Sequence, residues 1–375
     1  LRIKTKQVDK KMKIIISGGG TGGHIFPAIA IADAVKKRNP DVEILFVGAL
    51  GKMEMEKVPA AGYKIVGLPV AGFQRRLTLK NVTFFFKLAA SLWKARSIVR
   101  SFRPDVAVGV GGYASGPVLK AASAAGIPTV LQEQNSFPGV TNKLLAKKAK
   151  RICVAYPNME RFFPPSRIVL TGNPVRQSLL HNVDRASAYS EFGLDSGRKT
   201  ILVIGGSLGA GSINNGVRNA VDTLLQNDQV QLLWQCGPYY YEKLEEEIGS
   251  RAGDSIKLMP FISQMDMAYA MADVVVSRAG AGTISELALL GKAAILIPSP
   301  NVSEDHQTKN AMSLVKEGAA LMVPDHETTE RLIPEALELL KNNEQRKRLE
   351  EKIKLFAHIN SADQIAEEVE NIVIN

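Results

Sequence analysis

Two stretches of this chain repeat one grammar: a short β-branched run, a cluster of glycines, then a segment with helical period. Lys13–Ser17 (KIIIS) leads into Gly18–His24 (GGGTGGH) and a helical pattern over Pro27–Lys37. Thr200–Ile204 (TILVI) leads into Gly205–Gly211 (GGSLGAG) and a second helical pattern. Apolar runs without polar alternation are what parallel strands look like when both faces are buried. Glu43–Val47, Asp105–Val110, Thr129–Leu131 and Arg151–Val154 extend the first array. Gln231–Gln235, Ile256–Met259, Asp273–Val276 and Ala293–Ile297 extend the second. Two tandem βαβ arrays predict an α/β protein of two Rossmann-like domains, with parallel sheets facing across a cleft. The length agrees, since 375 residues exceed what one core usually serves. The boundary is expected near Gly172–Arg176, giving domains 1–176 and 177–361, with a last helix in 362–375 crossing back to the first.

Charge is distributed unevenly. Residues 1–176 hold 29 Lys+Arg against 9 Asp+Glu, a balance of +20, whereas the rest carries −10. Opposite signs in the two halves suggest that the first half faces a polyanion, an anionic lipid surface or a nucleic acid. Cys153 and Cys236 are far apart in apolar segments and spell neither a disulfide framework nor a zinc site. The basic start LRIKTKQVDKKMK lacks the apolar stretch of a signal peptide, and no apolar run reaches the roughly 20 residues of a spanning helix. A soluble or peripheral protein is expected.

Four strand–helix junctions carry glycine: Gly18–His24, Gly109–Gly116 (GVGGYASG), Gly205–Gly211 and Ser277–Glu286 (SRAGAGTISE). Such junctions let a ligand approach the backbone and aim free helix N–H groups at an anion. One of them is weak evidence, because glycine also serves tight turns; four in two tandem domains point to a phosphate-bearing ligand. The absence of GxxxxGK[ST] excludes a P-loop nucleotidase. A dinucleotide site wants a carboxylate at the tip of the second strand, and Glu43–Val47 runs instead into Gly48–Ala49.

At GGGTGGHIFPAIAIA (18–32) and SRAGAGTISELALLG (277–291) the chain resembles glycosyltransferase family 28. GGYASGP (111–117), QEQN (132–135), TNKLLAK (141–147), GNPVR (172–176) and GGSLGA (205–210) follow in family order over nearly the whole chain. The resemblance implies a GT-B fold and inverting transfer of N-acetylglucosamine from UDP-N-acetylglucosamine. The acceptor it implies is the muramyl 4-hydroxyl of a polyprenyl-diphosphate-linked muramyl-pentapeptide, met at the cytoplasmic face of the cell membrane. It assigns the donor mainly to the second domain and the acceptor to the first. Thr21, Gly22 and Gly23 then border the diphosphate, Asn135 faces the sugar, Arg176 the phosphate side, and Ser207 caps a helix at the diphosphate. Ile262 binds uracil through its backbone, Ala281, Gly282, Thr283, Ile284, Ser285 and Glu286 form the nucleotide loop, and Gln307 reads sugar hydroxyls. His306 stands beside it, where some members have a second glutamine.

The residues support parts of this independently. A carboxylate can accept from two vicinal hydroxyls, so Glu286, a turn past a glycine loop, suits a ribose; its alternative is compensation of a helix dipole. No Asp-x-Asp metal pair occurs, so charge on the departing UDP would be met by helix N-termini, Ser207 and Arg176, with no metal and no cofactor. His24, directly after the first glycine loop, is the first choice as general base, because its pKa suits proton transfer at neutral pH. Glu133 is the alternative, as base or as a residue that only orients its loop.

Arg75–Arg103 carries two helical stripes. Phe85, Leu88, Leu92, Ala95 and Val99 are expected in the core. Leu79, Val82, Phe86 and Trp93 lie beside Lys80, Lys87 and Lys94 and are expected to face an anionic membrane surface rather than nucleic acid. Two other functions remain open: glycosyl transfer to diacylglycerol, and non-enzymatic binding of a nucleotide sugar.

Overall fold

A computed structural model describes residues 11–70, 80–176, 179 and 183–374; the side chains of 80–85 and 303 fall outside that description. The chain forms two compact units, residues 1–174 with 360–375, and 175–359.

The first unit has a seven-stranded sheet: β1 (Lys13–Ser17), β2 (Glu43–Ala49), β3 (Lys64–Leu68), β4 (Val106–Gly109), β5 (Thr129–Glu133), β6 (Arg151–Val154) and β7 (Ile168–Leu170). Their spatial order is β3-β2-β1-β4-β5-β6-β7, and every pairing is parallel. The run KIIIS shows why these strands must be covered on both sides. Ile14 and Ile16 enter one core with the helices Gly22–Arg38 and Ser361–Ile374. Ile15, pointing the other way, enters a second core with Ala95 and Val99 of the helix Lys80–Phe102 and with Leu119. Successive strand residues alternate faces, so three isoleucines in a row supply two layers.

The last helix belongs to this unit. It buries Ala362, Ile365, Ala366 and Val369, and at its rim Arg38 pairs with Glu370 at 2.7 Å and Arg151 with Glu368 at 2.9 Å.

The second unit has β8 (Lys199–Ile204), β9 (Val230–Gln235), β10 (Ile256–Met259), β11 (Val274–Arg278), β12 (Ala294–Ile297) and β13 (Leu321–Met322), in the order β10-β9-β8-β11-β12-β13 and wholly parallel. Trp234, fully buried, and Ile201 and Val203 anchor its core.

Both sheets reverse strand order at one place, between β1 and β4 and between β8 and β11. Loops leaving the strand ends there diverge to opposite faces and open a crevice, the usual ligand position of such sheets. The four glycine junctions are the loops at these two reversals. Three short strands escape sequence reading: β3, interrupted by Gly67, and β7 and β13, which have three and two residues. All three are sheet edges, where one neighbour suffices and the apolar signal is weak.

Candidate functional site

At the first reversal, the loops after β1 and β4 touch backbone to backbone. A Cβ on Gly112, at φ +80°, would lie 2.2 Å from Gly19 O, so only glycine permits this approach. Beneath them lies Glu54, wholly buried, reaching in from the helix Glu54–Ala60. It accepts from Gly20 N–H at 3.0 and 3.2 Å and from Ala49 N–H at 2.9 Å. The segment MEMEK resembles an exposed helix start, so nothing local marks Glu54 as the residue that fixes this loop.

The helix Gly22–Arg38 begins inside the loop, earlier than its Pro27–Lys37 pattern suggested, so Gly22, Gly23 and His24 form its first turn. Thr21 is the N-cap, and its side chain makes no capping bond. Its Oγ1 lies 3.0 Å from His24 Nδ1 instead. The half-buried imidazole packs on Gly111, whose Cβ, if present, would meet His24 Cδ2 and Nε2 at 2.9 Å.

Glu133 lies at the end of β5. It is 2% exposed, and both carboxylate oxygens are occupied. Oε1 accepts from the backbone and side-chain nitrogens of Asn135 at 3.0 and 3.1 Å. Oε2 accepts from Gly139 N at 3.2 Å and Asn142 Nδ2 at 2.9 Å. Burial raises its pKa, and these bonds pull it back. Four donors on one buried carboxylate brace the loop 133–142, in keeping with the second of its two expected roles. Asn135 is thereby held in place, half-buried. Gln134, unmarked by sequence, donates through Nε2 to Val110 O at 2.7 Å, while Asn173 Nδ2 donates to Gln134 O at 3.0 Å, tying the β4 and β5 loops to the GNPVR segment.

The second reversal is closed by backbone alone. A Cβ on Gly209, at φ +79°, would lie 1.9 Å from Cys236 O. Helices Gly211–Asn219 and Ala281–Leu290 start at Ala210 and Gly280, with no side-chain cap on either. Ser207 was expected to cap the first of them. It lies in an exposed turn ahead of Ala210 and does not cap it, because the glycine turn sets the helix start three residues later. Both cysteines are buried and free; burial pushes the Cys236 thiol up to about 11.

The segment expected as a nucleotide loop forms the first turns of the helix Ala281–Leu290: Ala281, Ile284 and Glu286 are buried, while Gly282, Thr283 and Ser285 are half-buried. Glu286 meets Arg176, the residue expected on the phosphate side: Arg176 Nε donates to Oε1 at 2.8 Å. Tyr269 OH, which sequence reading missed, donates to Oε2 at 3.0 Å. Burial raises the Glu286 pKa, and Arg176 and Tyr269 oppose it. Arg176 is thus a partner of this carboxylate through Nε, with its side chain 41% exposed. Ile262 is buried, and its amide donates to Gln235 Oε1 at 2.8 Å. Gln307 Oε1 accepts from Ser299 N at 2.8 Å, which leaves its Nε2 as the donor it can offer a sugar. Two consecutive non-glycine residues before it, Glu304 (φ 57°) and Asp305 (φ 53°), are left-handed, a strain that clusters at functional loops. Arg278, also unmarked, bonds Asp325 and donates to Ser212 Oγ at 3.0 Å, joining three loops.

On the helix Lys80–Phe102, Phe86 and Trp93 are 73% and 74% exposed, Lys87 is exposed, and Lys94 is half-buried. The core stripe is shorter than expected: Ala95 and Val99 are buried, Leu92 is half-buried and Leu88 is 36% exposed. Leu79 and the side chains of Lys80, Val82 and Phe85 lie outside the described residues. Among the described residues no helix is long and apolar enough to cross a membrane. Nor do any three His, Cys, Asp or Glu among them gather as metal ligands.

Residues 14–154 match the glycosyltransferase family 28 N-terminal domain and residues 200–369 its C-terminal domain. The chain is 54% identical to a Bacteroides thetaiotaomicron protein, over 96% of this chain and 98% of that one. It is 55% identical to one of Bacteroides fragilis, over 96% and 95%. Both are named UDP-N-acetylglucosamine–N-acetylmuramyl-(pentapeptide) pyrophosphoryl-undecaprenol N-acetylglucosamine transferase. Among solved structures, Acinetobacter baumannii MurG superposes with a TM-score of 0.76 at 28% identity, covering 96% of this chain and 99% of that one.

Proposed function

This chain belongs to glycosyltransferase family 28, and on that premise we infer how its loops divide the work of the reaction. The protein transfers N-acetylglucosamine from UDP-N-acetylglucosamine to lipid I, the muramyl-pentapeptide pyrophosphoryl-undecaprenol acceptor, forming lipid II in peptidoglycan synthesis. The second unit takes the donor and the first the acceptor. One observation carries the donor assignment: Glu286, at the second reversal, is a buried carboxylate with one protein donor on each oxygen. A carboxylate has about four lone-pair sites, so two remain for the vicinal hydroxyls of a ribose. The uncapped helix starts at Ala210 and Gly280 supply N–H groups and positive dipole ends for the diphosphate. Gln307 Nε2 addresses the donor sugar, the group also assigned to Asn135.

Chemistry is a single displacement. The muramyl 4-hydroxyl oxygen forms a bond to the anomeric carbon as the bond from that carbon to the UDP oxygen breaks. UDP leaves with the electron pair, and configuration inverts from α to a β-1,4 link. His24 takes the hydroxyl proton. The tautomer this role needs has Nδ1–H facing Thr21 Oγ1, 3.0 Å away, and the basic lone pair on Nε2. Phosphoryl charge on the leaving group is met by helix dipoles rather than by a bound metal.

In this reading the protein works at the cytoplasmic face of the membrane as a peripheral protein. Exposed Phe86 and Trp93 beside Lys87 support a surface for anionic headgroups. The deciding experiment is UDP release with muramyl-pentapeptide-diphosphoryl-polyprenol against diacylglycerol. Release with the first alone is expected; release with diacylglycerol alone overturns the acceptor assignment.

A further inference from the structure

The geometry points to Tyr269 as a positioning residue that sets the plane of the Glu286 carboxylate and so the selectivity of this protein for a ribonucleotide over a deoxyribonucleotide donor. The inference rests on the reading that Glu286 accepts from the ribose hydroxyls.

Glu286 is held from two sides. On the exposed side Arg176, whose side chain is 41% exposed, donates to Oε1 at 2.8 Å. On the buried side Tyr269, 1% exposed, donates to Oε2 at 3.0 Å from the helix Met265–Met271. A carboxylate that accepts two neighbouring hydroxyls must present both oxygens in the plane of the diol. Free rotation about its last torsion, which is broad for glutamate, would spoil that geometry. The arginine alone does not prevent rotation, because a long and partly solvated side chain moves with the oxygen it holds. The phenol can, because its ring is locked in the core of the second unit. Burial, with the neighbouring Glu286 charge, also keeps the phenol protonated, so it stays a donor throughout the working pH range. Tyr269 does not itself touch the substrate; it acts through Glu286.

The test uses the full chain with UDP-N-acetylglucosamine and its 2′-deoxyuridine and 3′-deoxyuridine counterparts, reading kcat and KM for each. The unaltered protein should prefer the ribonucleotide by roughly 10- to 100-fold, the range for a hydrogen bond to a charged acceptor. Tyr269→Phe should raise KM for UDP-N-acetylglucosamine roughly 10-fold, leave kcat nearly unchanged and cut the preference to about 3-fold or less. Glu286→Gln separates the two readings. If Glu286→Gln loses the preference while a folded Tyr269→Phe keeps it, Tyr269 does not position the carboxylate and the inference fails alone. If Glu286→Gln keeps the preference, the ribose assignment itself fails. Tyr269→His returns a donor to the cavity and should recover part of the preference, which a ring needed only for packing would not do. Should the Phe variant not fold, the folded His variant decides: a reduced preference supports the inference, and a preference equal to that of the unaltered protein overturns it.

Discussion

The loops after β1 and β8 occupy the same place in two parallel sheets whose strand order reverses in the same way, yet different chemistry fills them. Beneath the first lies Glu54, a wholly buried carboxylate that binds Gly20 and Ala49 amides. The second is packed backbone on backbone, Gly209 against Cys236 O, and its nearby carboxylates each have an arginine: Glu286 with Arg176, Asp325 with Arg278. An anion entering the first loop meets a negative charge and an amide already taken. The helix starts are uncapped in both loops, at Thr21 as at Ala210 and Gly280. The same glycine grammar therefore builds one loop braced by a carboxylate reaching in from a neighbouring helix and one braced by backbone contact.

The comparison breaks most visibly at His24. His24→Ala should lower kcat roughly 10²- to 10⁴-fold, the usual cost of losing a general base, with donor affinity unchanged by calorimetry. A weakened donor Kd with normal turnover at saturation would move His24 to the donor and erase the division of labour. Next in size is Glu54→Ala. It leaves the Ala49 amide unpaired and opens a cavity, so urea unfolding should show the first unit destabilised by about 2–4 kcal/mol. Donor affinity of the folded protein should hold; a tighter donor would mean that the first loop competes for the diphosphate once its carboxylate is gone.

Glu286→Gln sharpens the other side. Losing the charged acceptor should weaken UDP-N-acetylglucosamine binding by about 1–3 kcal/mol without unfolding the second unit. Unchanged affinity by calorimetry would leave the doubly anchored carboxylate with a structural role only. A smaller effect is expected on the helix Lys80–Phe102. Each basic residue near an anionic surface contributes about 1 kcal/mol, so Lys87→Glu with Lys94→Glu should reduce binding to phosphatidylserine vesicles and flatten its salt dependence. Donor affinity should not change; normal vesicle binding would put the membrane surface elsewhere. Excess EDTA should have the least effect, leaving turnover as it was. Loss of activity restored by magnesium would show that the diphosphate brings a cation with it.

The grammar of the chain was enough to read two parallel sheets, the four glycine junctions, the resemblance to a family and the positions of His24 and Glu286. It was enough because these features are local: a buried strand declares itself by an unbroken apolar run, and a junction by its glycines. The roles of individual polar residues were not local. Glu133 reads as a catalytic candidate until its carboxylate is seen with four donors. Ser207 reads as a cap until the turn delivers Ala210 to the helix start, and nothing near Ile262 announces that its amide meets Gln235. Arg176 and Glu286 stand 110 residues apart, and Glu54 stands 34 from Gly20. Whether a polar group meets a substrate or a partner within the protein depends on what the fold brings within about 3 Å of it, the reach of a hydrogen bond. Period and spacing along one segment carry no record of that, so the tertiary structure alone decided which protein groups these residues meet.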